Sequence, residues 1–544
     1  MPQYDSSAAI SQTSSDEGFN VAVQSQAVES WNPDHVRVNN LSRYSTRSSH
    51  VIPDGNKQTE REDEIVDPFE VTFEGSEDSE NIVARMSYSR KILISVILAG
   101  AGFCVTMLSS VWSLSMDQMM AHFHVSREVA TLGISLYIFG LGSGPVFLSP
   151  ISEFYGRRIV YLSGLLLCFA FQFITCFANN FGAILFSRFV TGFFGSAFMS
   201  VAGGTYSDIF TKQEIYFPFQ GFVLAPFLSP AVGAFLSGIV NEYSNFHWCF
   251  YFMLIFTGCM CVAVSTIPET YKPYLLKLKA QRMCQETGDD RYYAPLDKVP
   301  NSLLDTIVLS CRRPFGVLFL DPMMFTLCFY TGFTLSIIYM FFICLPYVLS
   351  TVYDFGVGAQ GLCFLSFCVG MIATLPLNYY THTVYEKKVA RNGGVSQPEM
   401  RFTPLKYGVF FIPSGLMIIA WTSYRHVHWI GVLCGAATFG GGVSLVFSGV
   451  FTYTVDGYRL YSASALAANS FTRSLMAGIF PLFGYYVYRG LGVNWASFLM
   501  AMVGVVMMPM PFVFERYGPY LRSKSPYAWV DDDNDEQELD NEKA

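Results

Sequence analysis

Apolar residues along this chain gather into twelve runs, each long enough to cross a bilayer as a helix. The pattern predicts helices at about 92–116, 130–149, 159–177, 182–207, 216–240 and 248–267. It predicts six more at about 325–350, 361–381, 405–423, 429–454, 462–488 and 495–514. A hydrophilic stretch, about 268–320, separates the two sets. Six, loop, six is the layout of a transporter built from two related halves. Residues 1–88 read differently. They are rich in Ser, Asp, Glu and Asn, and are expected to form a disordered tail with no cleaved leader. The expected division is a tail over 1–88, a first half over 89–267, a loop over 268–320, a second half over 321–515 and an acidic tail over 516–544.

Composition agrees with the pattern. A chain that is 52% hydrophobic and only 14% charged lacks the charge to cover a soluble domain of this size. The net charge of −8 adds little, because acid concentrates in the tails, as between Asp531 and Asp540. The distribution of Lys and Arg says more. With both termini inside, the inner loops hold seventeen of these residues and the outer loops three. Without the eight in the central loop the ratio is still nine to three, so cytoplasmic termini are expected. The thirteen cysteines are scattered without metal spacing, and neither a metal nor a cofactor is expected. The absence of HExxH, GxSxG and Walker patterns argues against an enzyme and against an ATP-driven pump.

The tightest polar break falls between runs 2 and 3. An apolar helix passes Gly140, Pro145 and Pro150 and stops at a turn carrying Glu153, Gly156, Arg157 and Arg158. Asp208, closing span 4, returns to the same side. These residues are expected to form an ionic gate on the cytoplasmic side, with Glu153 capping the N-terminus of span 11. A purely topogenic charge cluster is the plainer alternative. In span 5, Gly221, Ala225, Ser229, Gly233 and Ser237 recur every fourth residue, a ridge for close helix packing. Pro226 and Pro230 beside it should bend the helix. Arg188 in span 4 shares a face with Gly192 and Gly195, roughly 9 Å below the outer boundary at ~1.5 Å per residue. It either faces protein or a water cavity, or snorkels to the interface. Span 11 carries Tyr461, Ala465, Asn469 and Arg473 at spacing four, a polar stripe that ends near mid-membrane. An arginine bonded to backbone carbonyls is the structural alternative there.

Several of these stretches resemble a single family. Pro150-Ile-Ser-Glu-Phe-Tyr-Gly-Arg-Arg158 is similar to the signature between spans 2 and 3 of the major facilitator superfamily, in the P-x-S-E-x-x-G-R-R form of fungal drug:proton antiporters. Arg188, Gly192 and Gly195 resemble the R-x-x-x-G-x-x-G of the fourth span. Ala225 to Ala234 resembles the antiporter motif G-x-x-x-G-P-x-x-G-G, with Pro230 and Gly233 kept and glycines replaced by Ala225, Ser229 and Ala234. Asp456, Tyr458 and the run from Ser464 to Asn469 resemble the span 10–11 junction, as Pro268–Tyr271 and Pro398–Arg401 resemble two further family marks. In order, these cover about 90–515. The resemblance implies an all-α membrane protein of twelve transmembrane helices in two six-helix halves. It implies a monomeric secondary transporter of the plasma membrane that exports drugs or other small organic compounds in exchange for protons. It also implies a link between Arg188 and proton transfer.

Proton exchange needs a group that gains and loses a proton as access alternates, and carboxylates at membrane depth usually serve. This sequence places none there. Asp117 lies at the outer end of span 1, and Glu153, Asp208, Glu269, Asp321 and Asp456 lie at inner ends. By depth, Asp117 is the nearest candidate partner of Arg188. The expected partners are a small-molecule substrate, protons and the lipid bilayer, with no nucleic acid. Two other readings stay open: a proton-coupled or facilitative transporter of a nutrient or polyamine, and a membrane sensor that keeps the fold without transport.

Overall fold

A computed structural model describes residues 69–73, 83, 85–211, 214–294, 303–393, 396–458 and 461–528. The expectations for most of the 1–88 tail, for Lys212 and Arg459 in the charge count, and for the acidic run from Asp531 lie outside these residues.

Among the described residues, twelve helical spans follow in the expected order. Spans 1 to 6 are Tyr88–Phe123, Arg127–Tyr155, Arg157–Phe177, Phe181–Ile209, Tyr216–Tyr243 and His247–Ser265. Spans 7 to 10 are Pro322–Tyr353, Val357–Arg391, Pro398–Thr422 and Ile430–Tyr458, and span 12 is Val493–Ser523. Span 11, Ser462–Leu491, has the length at 30 residues, but its stripe of Ser, Asn and Arg leaves it less apolar than the other eleven. The central stretch is not plain loop, since it contains the helices Lys272–Thr287 and Leu303–Leu320. Span 12 runs past the expected tail boundary, to Ser523.

Local chemistry explains where helices start. The side chains of Ser126 and Asn180 accept from the N–H groups of Val129 and Gly182 at the heads of spans 2 and 4. Asp321 accepts from Met323 and Met324, with Pro322 in the first turn of span 7. Span 1 is interrupted. Its helix Tyr88–Ser110 gives way to a 3-10 turn at Ser113–Ser115 before Met116–Phe123 resumes. That break releases carbonyls of the last turn from intrahelical bonding. Pro226 and Pro230 sit within one continuous helix of span 5.

Within the second half, Gly408 and Gly415 of span 9 face Gly435, Gly442 and Gly449 of span 10, so the two backbones approach closely. The halves meet along span 2 against span 11 and span 5 against span 8. Span 5 meets span 8 backbone to backbone. A Cβ on Gly238 would stand 2.7 Å from the Gly361 Cα. The side where the chain enters span 1 and leaves span 12 is the terminal face, and its opposite is the far face. On the far face, Gly358 N–H donates to Glu242 at 2.9 Å, and the Arg127 guanidinium lies 4.3 Å over the Tyr485 ring. Toward the terminal face, the Tyr216 hydroxyl donates to the Asn378 carbonyl at 3.1 Å and its ring meets His382 edge-on. The Ser448 hydroxyl donates to Gln220 at 3.0 Å between the same levels. Both ends of the inter-half interface are therefore in contact.

A second, small unit is formed by residues of 69–73 and 276–294. Glu70 bridges Tyr293 in parallel, and Val71 packs on Leu276, Ala280 and Ala294. The alternation Phe69, Val71, Phe73 is a short strand-like signal inside a stretch that composition assigns to the tail.

Candidate functional site

The first site lies midway through the first half. Arg188 is 1% exposed, so it does not snorkel. Its Nε donates to the Gly133 carbonyl of span 2 at 3.1 Å, and Nη1 donates to the Leu108 carbonyl of span 1 at 2.8 Å. Leu108 belongs to the last turn before the break in span 1, so Arg188 supplies a partner to a carbonyl that the helix itself cannot satisfy. The guanidinium also lies 4.3 Å from the Tyr137 ring centroid and 5.0 Å from that of Trp112. Gly192, one turn on, lets span 4 close on span 2, where a Cβ would lie 3.2 Å from Leu141 N. Arg188 thereby clamps spans 1, 2 and 4. Asp117 is elsewhere. It pairs with Arg127 at 2.8 Å and is 79% exposed on the far face. The structure brings Asp117 to Arg127 and not to Arg188, because the resumed helix Met116–Phe123 carries it outward beside the head of span 2.

The second site lies between the halves. Arg473 on span 11 is 5% exposed and stands among Phe227 of span 5 and Phe447 and Phe451 of span 10. Asn469, one turn earlier, donates to Thr331 of span 7 at 2.7 Å. Tyr339 of span 7 is near enough to both arginines to interact electrostatically with each, and its hydroxyl bonds Ser109 of span 1 at 3.1 Å.

The third site is the terminal face. Arg157 Nε donates to Asp208 at 2.7 Å, its Nη1 reaches the Val201 carbonyl at 3.3 Å, and its guanidinium lies 5.0 Å over the Tyr271 ring. Burial beside this cluster pushes the Tyr271 phenol up. Glu153 lies within electrostatic range of Arg157, Asp208 and Arg313 but makes no direct bond to them. The expected cap on span 11 is corrected: Glu153 does not provide it, and the carboxylate that caps a helix here is Glu269. It accepts from the N–H groups of Arg157 and Arg158, each at 3.1 Å, at the head of span 3. Gly156 makes this possible. Its φ of 86° turns the chain, and a Cβ there would meet Glu269 Oε2 at 2.5 Å. Arg158 also reaches the Ser265 carbonyl at 3.3 Å.

The second half repeats the plan. Arg401 at the head of span 9 pairs with Asp456 near the end of span 10 at 2.6 Å and lies 3.6 Å over the Tyr385 ring. Glu399 pairs with Arg522 at the end of span 12 at 3.2 Å, as Glu269 after span 6 binds the head of span 3. Tyr458 donates to Asp321 at 2.6 Å, and Tyr461 meets Tyr527 edge-on. Each of these ionic links lies within one half.

The span 5 ridge divides. Ser229 bonds Thr106 at 2.5 Å, Gly233 packs on Met107, and Ser237 donates to the Val111 carbonyl at 2.8 Å. This part rests on span 1. Ala225 is half-buried, Gly221 is exposed, and Pro226 and Pro230 face the interior. Sequence reasoning missed Gly238 and Gly361, Tyr216 with His382, and Glu242 with Gly358. Each joins elements far apart in the chain, and only the recurrence of Gly at 238 and 361 near helix ends hinted at it.

Comparison with known proteins places these features in context. A family profile described as Major Facilitator Superfamily matches residues 98–481. The chain is 47% identical over 518 residues to a Saccharomyces cerevisiae protein named "Probable drug/proton antiporter YHK8", covering 94% of this chain and 99% of the other. It is 43% identical over 396 residues to "Efflux pump atB" of Aspergillus terreus, covering 71% and 83%. In fold it is similar to the crystal structure of the human organic anion transporter MFSD10, with a TM-score of 0.55 at 14% identity over 79% of this chain and all of that one.

Proposed function

The chain belongs to the major facilitator superfamily, and from that premise we propose that it is a secondary active transporter exporting small organic compounds, drugs among them, in exchange for protons. The observation that carries this reading is the near full-length match to a yeast protein named for drug/proton exchange. The architecture supports it: two six-helix halves meet along spans 2, 5, 8 and 11, with polar groups between them at depth. The terminal face is cytoplasmic on this reading, which the excess of Lys and Arg in its loops supports, and the membrane is the plasma membrane. The transporter acts as a monomer, because one chain supplies both halves of the interface.

The terminal-face residues Glu153, Gly156, Arg157, Arg158 and Asp208 stiffen the first half, as Arg401, Asp456 and Tyr458 stiffen the second, so that each moves as a unit when access alternates. Arg188 keeps spans 1, 2 and 4 together during that motion. In reconstituted vesicles with an acidic lumen, the protein should accumulate a fluorescent drug such as rhodamine 6G, and a protonophore should release it. Accumulation that survives the protonophore would remove proton exchange from the account.

A further inference from the structure

Arg188 and Arg473 are both arginines at membrane depth, yet their surroundings differ. Arg188 spends two donors on backbone carbonyls and leaves only Nη2 without a partner. Arg473 leaves Nε and Nη1 buried with no hydrogen-bond partner. Its carbon Cζ stands 5.9, 5.6 and 5.3 Å from the ring centroids of Phe227, Phe447 and Phe451. Ring faces attract a cation but offer its N–H groups no oxygen. Among the described residues, the ion pairs of the spans lie at span ends, far in sequence and depth from Arg473. A buried cation without an acceptor is an unfavourable arrangement, and the partner that relieves it has to come from outside the chain. The position suits a transported molecule, since Phe227 belongs to the first half and Phe447, Phe451 and Arg473 to the second.

We propose that Arg473 binds the carboxylate of the substrate, and that this transporter accepts amphipathic monocarboxylates. This rests on the transport function above and names one class of substrate within it, beside the cationic dye that reads proton exchange. One guanidinium with two free donors matches one monoanion, whereas a doubly charged phosphate or sulfate would need a second cation facing it, and Arg188 is tied by two of its donors to the backbone of spans 1 and 2. The three phenylalanines form an apolar wall for the body of the acid, with Phe227 and Phe447 stacked at 4.1 Å. Asn469 Oδ1, one turn away and also buried without a partner, is an acceptor for a hydroxyl or amide N–H on that body. Binding a carboxylate here bridges the halves at the interface that must open and close.

The test uses the purified full-length protein in detergent and tritiated 4-phenylbutyrate in a scintillation proximity assay. Competitors are unlabelled 4-phenylbutyrate, 4-phenylbutanamide, 4-phenylbutylamine and chloride, which share a body or a charge with the probe. The carboxylate should displace the label at concentrations at least about tenfold lower than the amide, the amine or chloride, the ratio expected when charge-assisted hydrogen bonds are lost. Arg473→Gln should weaken binding by about tenfold or more, and Arg473→Lys should recover part of the loss. No measurable binding, equal competition by amide or amine, equal displacement by chloride, or wild-type affinity in a monodisperse Arg473→Gln protein would each overturn the proposal. If Arg473→Gln does not fold, the competitor ranking on wild type decides alone. Proton-driven rhodamine accumulation with a failed ranking removes the carboxylate site only. A correct ranking without proton-driven accumulation removes the exporter reading and leaves the site.

Discussion

Replacing Arg188 by lysine isolates the geometry of its clamp from its charge. Both side chains carry one positive charge, so the cost of burying that charge cancels to first order between them. What differs is reach and shape. The guanidinium bonds the Gly133 and Leu108 carbonyls simultaneously while lying between the Tyr137 and Trp112 rings. A lysine ammonium on its stem can keep one carbonyl and loses the planar stacking. One charged hydrogen bond contributes about 1.5–3 kcal/mol. Poorer cation–π contact adds about 0.5–1 kcal/mol. Arg188→Lys should therefore destabilise the fold by roughly 2–4 kcal/mol, with the unfolding slope unchanged. Equilibrium unfolding in mixed micelles, followed by tryptophan fluorescence, reads this directly. A wild-type midpoint for Arg188→Lys would refute the clamp. Export measured against external pH then separates structure from coupling. Profiles of the same shape for wild type, Arg188→Lys and Asp117→Asn, at equal surface expression, would leave Arg188 purely structural.

Three further outcomes follow from the geometry. Gly238→Val forces side-chain atoms into the Gly361 backbone, so it should oppose closure of the far face by about 1–3 kcal/mol; unchanged labelling of far-face cysteines would contradict this. Arg157→Glu places like charge beside Asp208 and should lower turnover in correctly inserted protein, while the paired change Arg157→Glu with Asp208→Arg recovers part of it; normal flux in the single variant would sink the bracing role. Gly156→Ala meets both a φ of 86° and the Glu269 carboxylate, and should cost about 1–3 kcal/mol of stability in the same micelle assay, which an unaltered midpoint would disprove.

The spans were readable from sequence because hydropathy integrates over some twenty residues, and no tertiary knowledge is needed to see a run. Span 11 shows the limit of that signal, since its residues were found as a run but its polar stripe makes it the least apolar of the twelve. That Arg188 faces protein was one of the two readings the sequence offered, but its partners were not legible: they are the backbone carbonyls of Gly133 and of Leu108, the latter beside a break in span 1 that no periodicity announces. The cap at the head of span 3 illustrates the same gap. The sequence reading sends Glu153 to the head of span 11, whereas the fold brings Glu269, just past the end of span 6, to the head of span 3. Asp117 has a different neighbour from the one expected, because Arg127 lies ten residues away on the adjoining helix. Residues 69–73 were assigned by composition to the tail, although Val71 and Phe73 pack with Leu276, Ala280 and Ala294.

The central claim is that substrate and protons cross in opposite directions through one alternating site. The direct measurement traps a pH-sensitive dye in proteoliposomes without any imposed gradient and adds substrate to one side. Exchange requires that an inward substrate gradient drives protons out, raising luminal pH in proportion to substrate entry, and that both signals vanish together without the protein. Luminal acidification in step with substrate entry, or substrate entry with no pH change, would contradict the account.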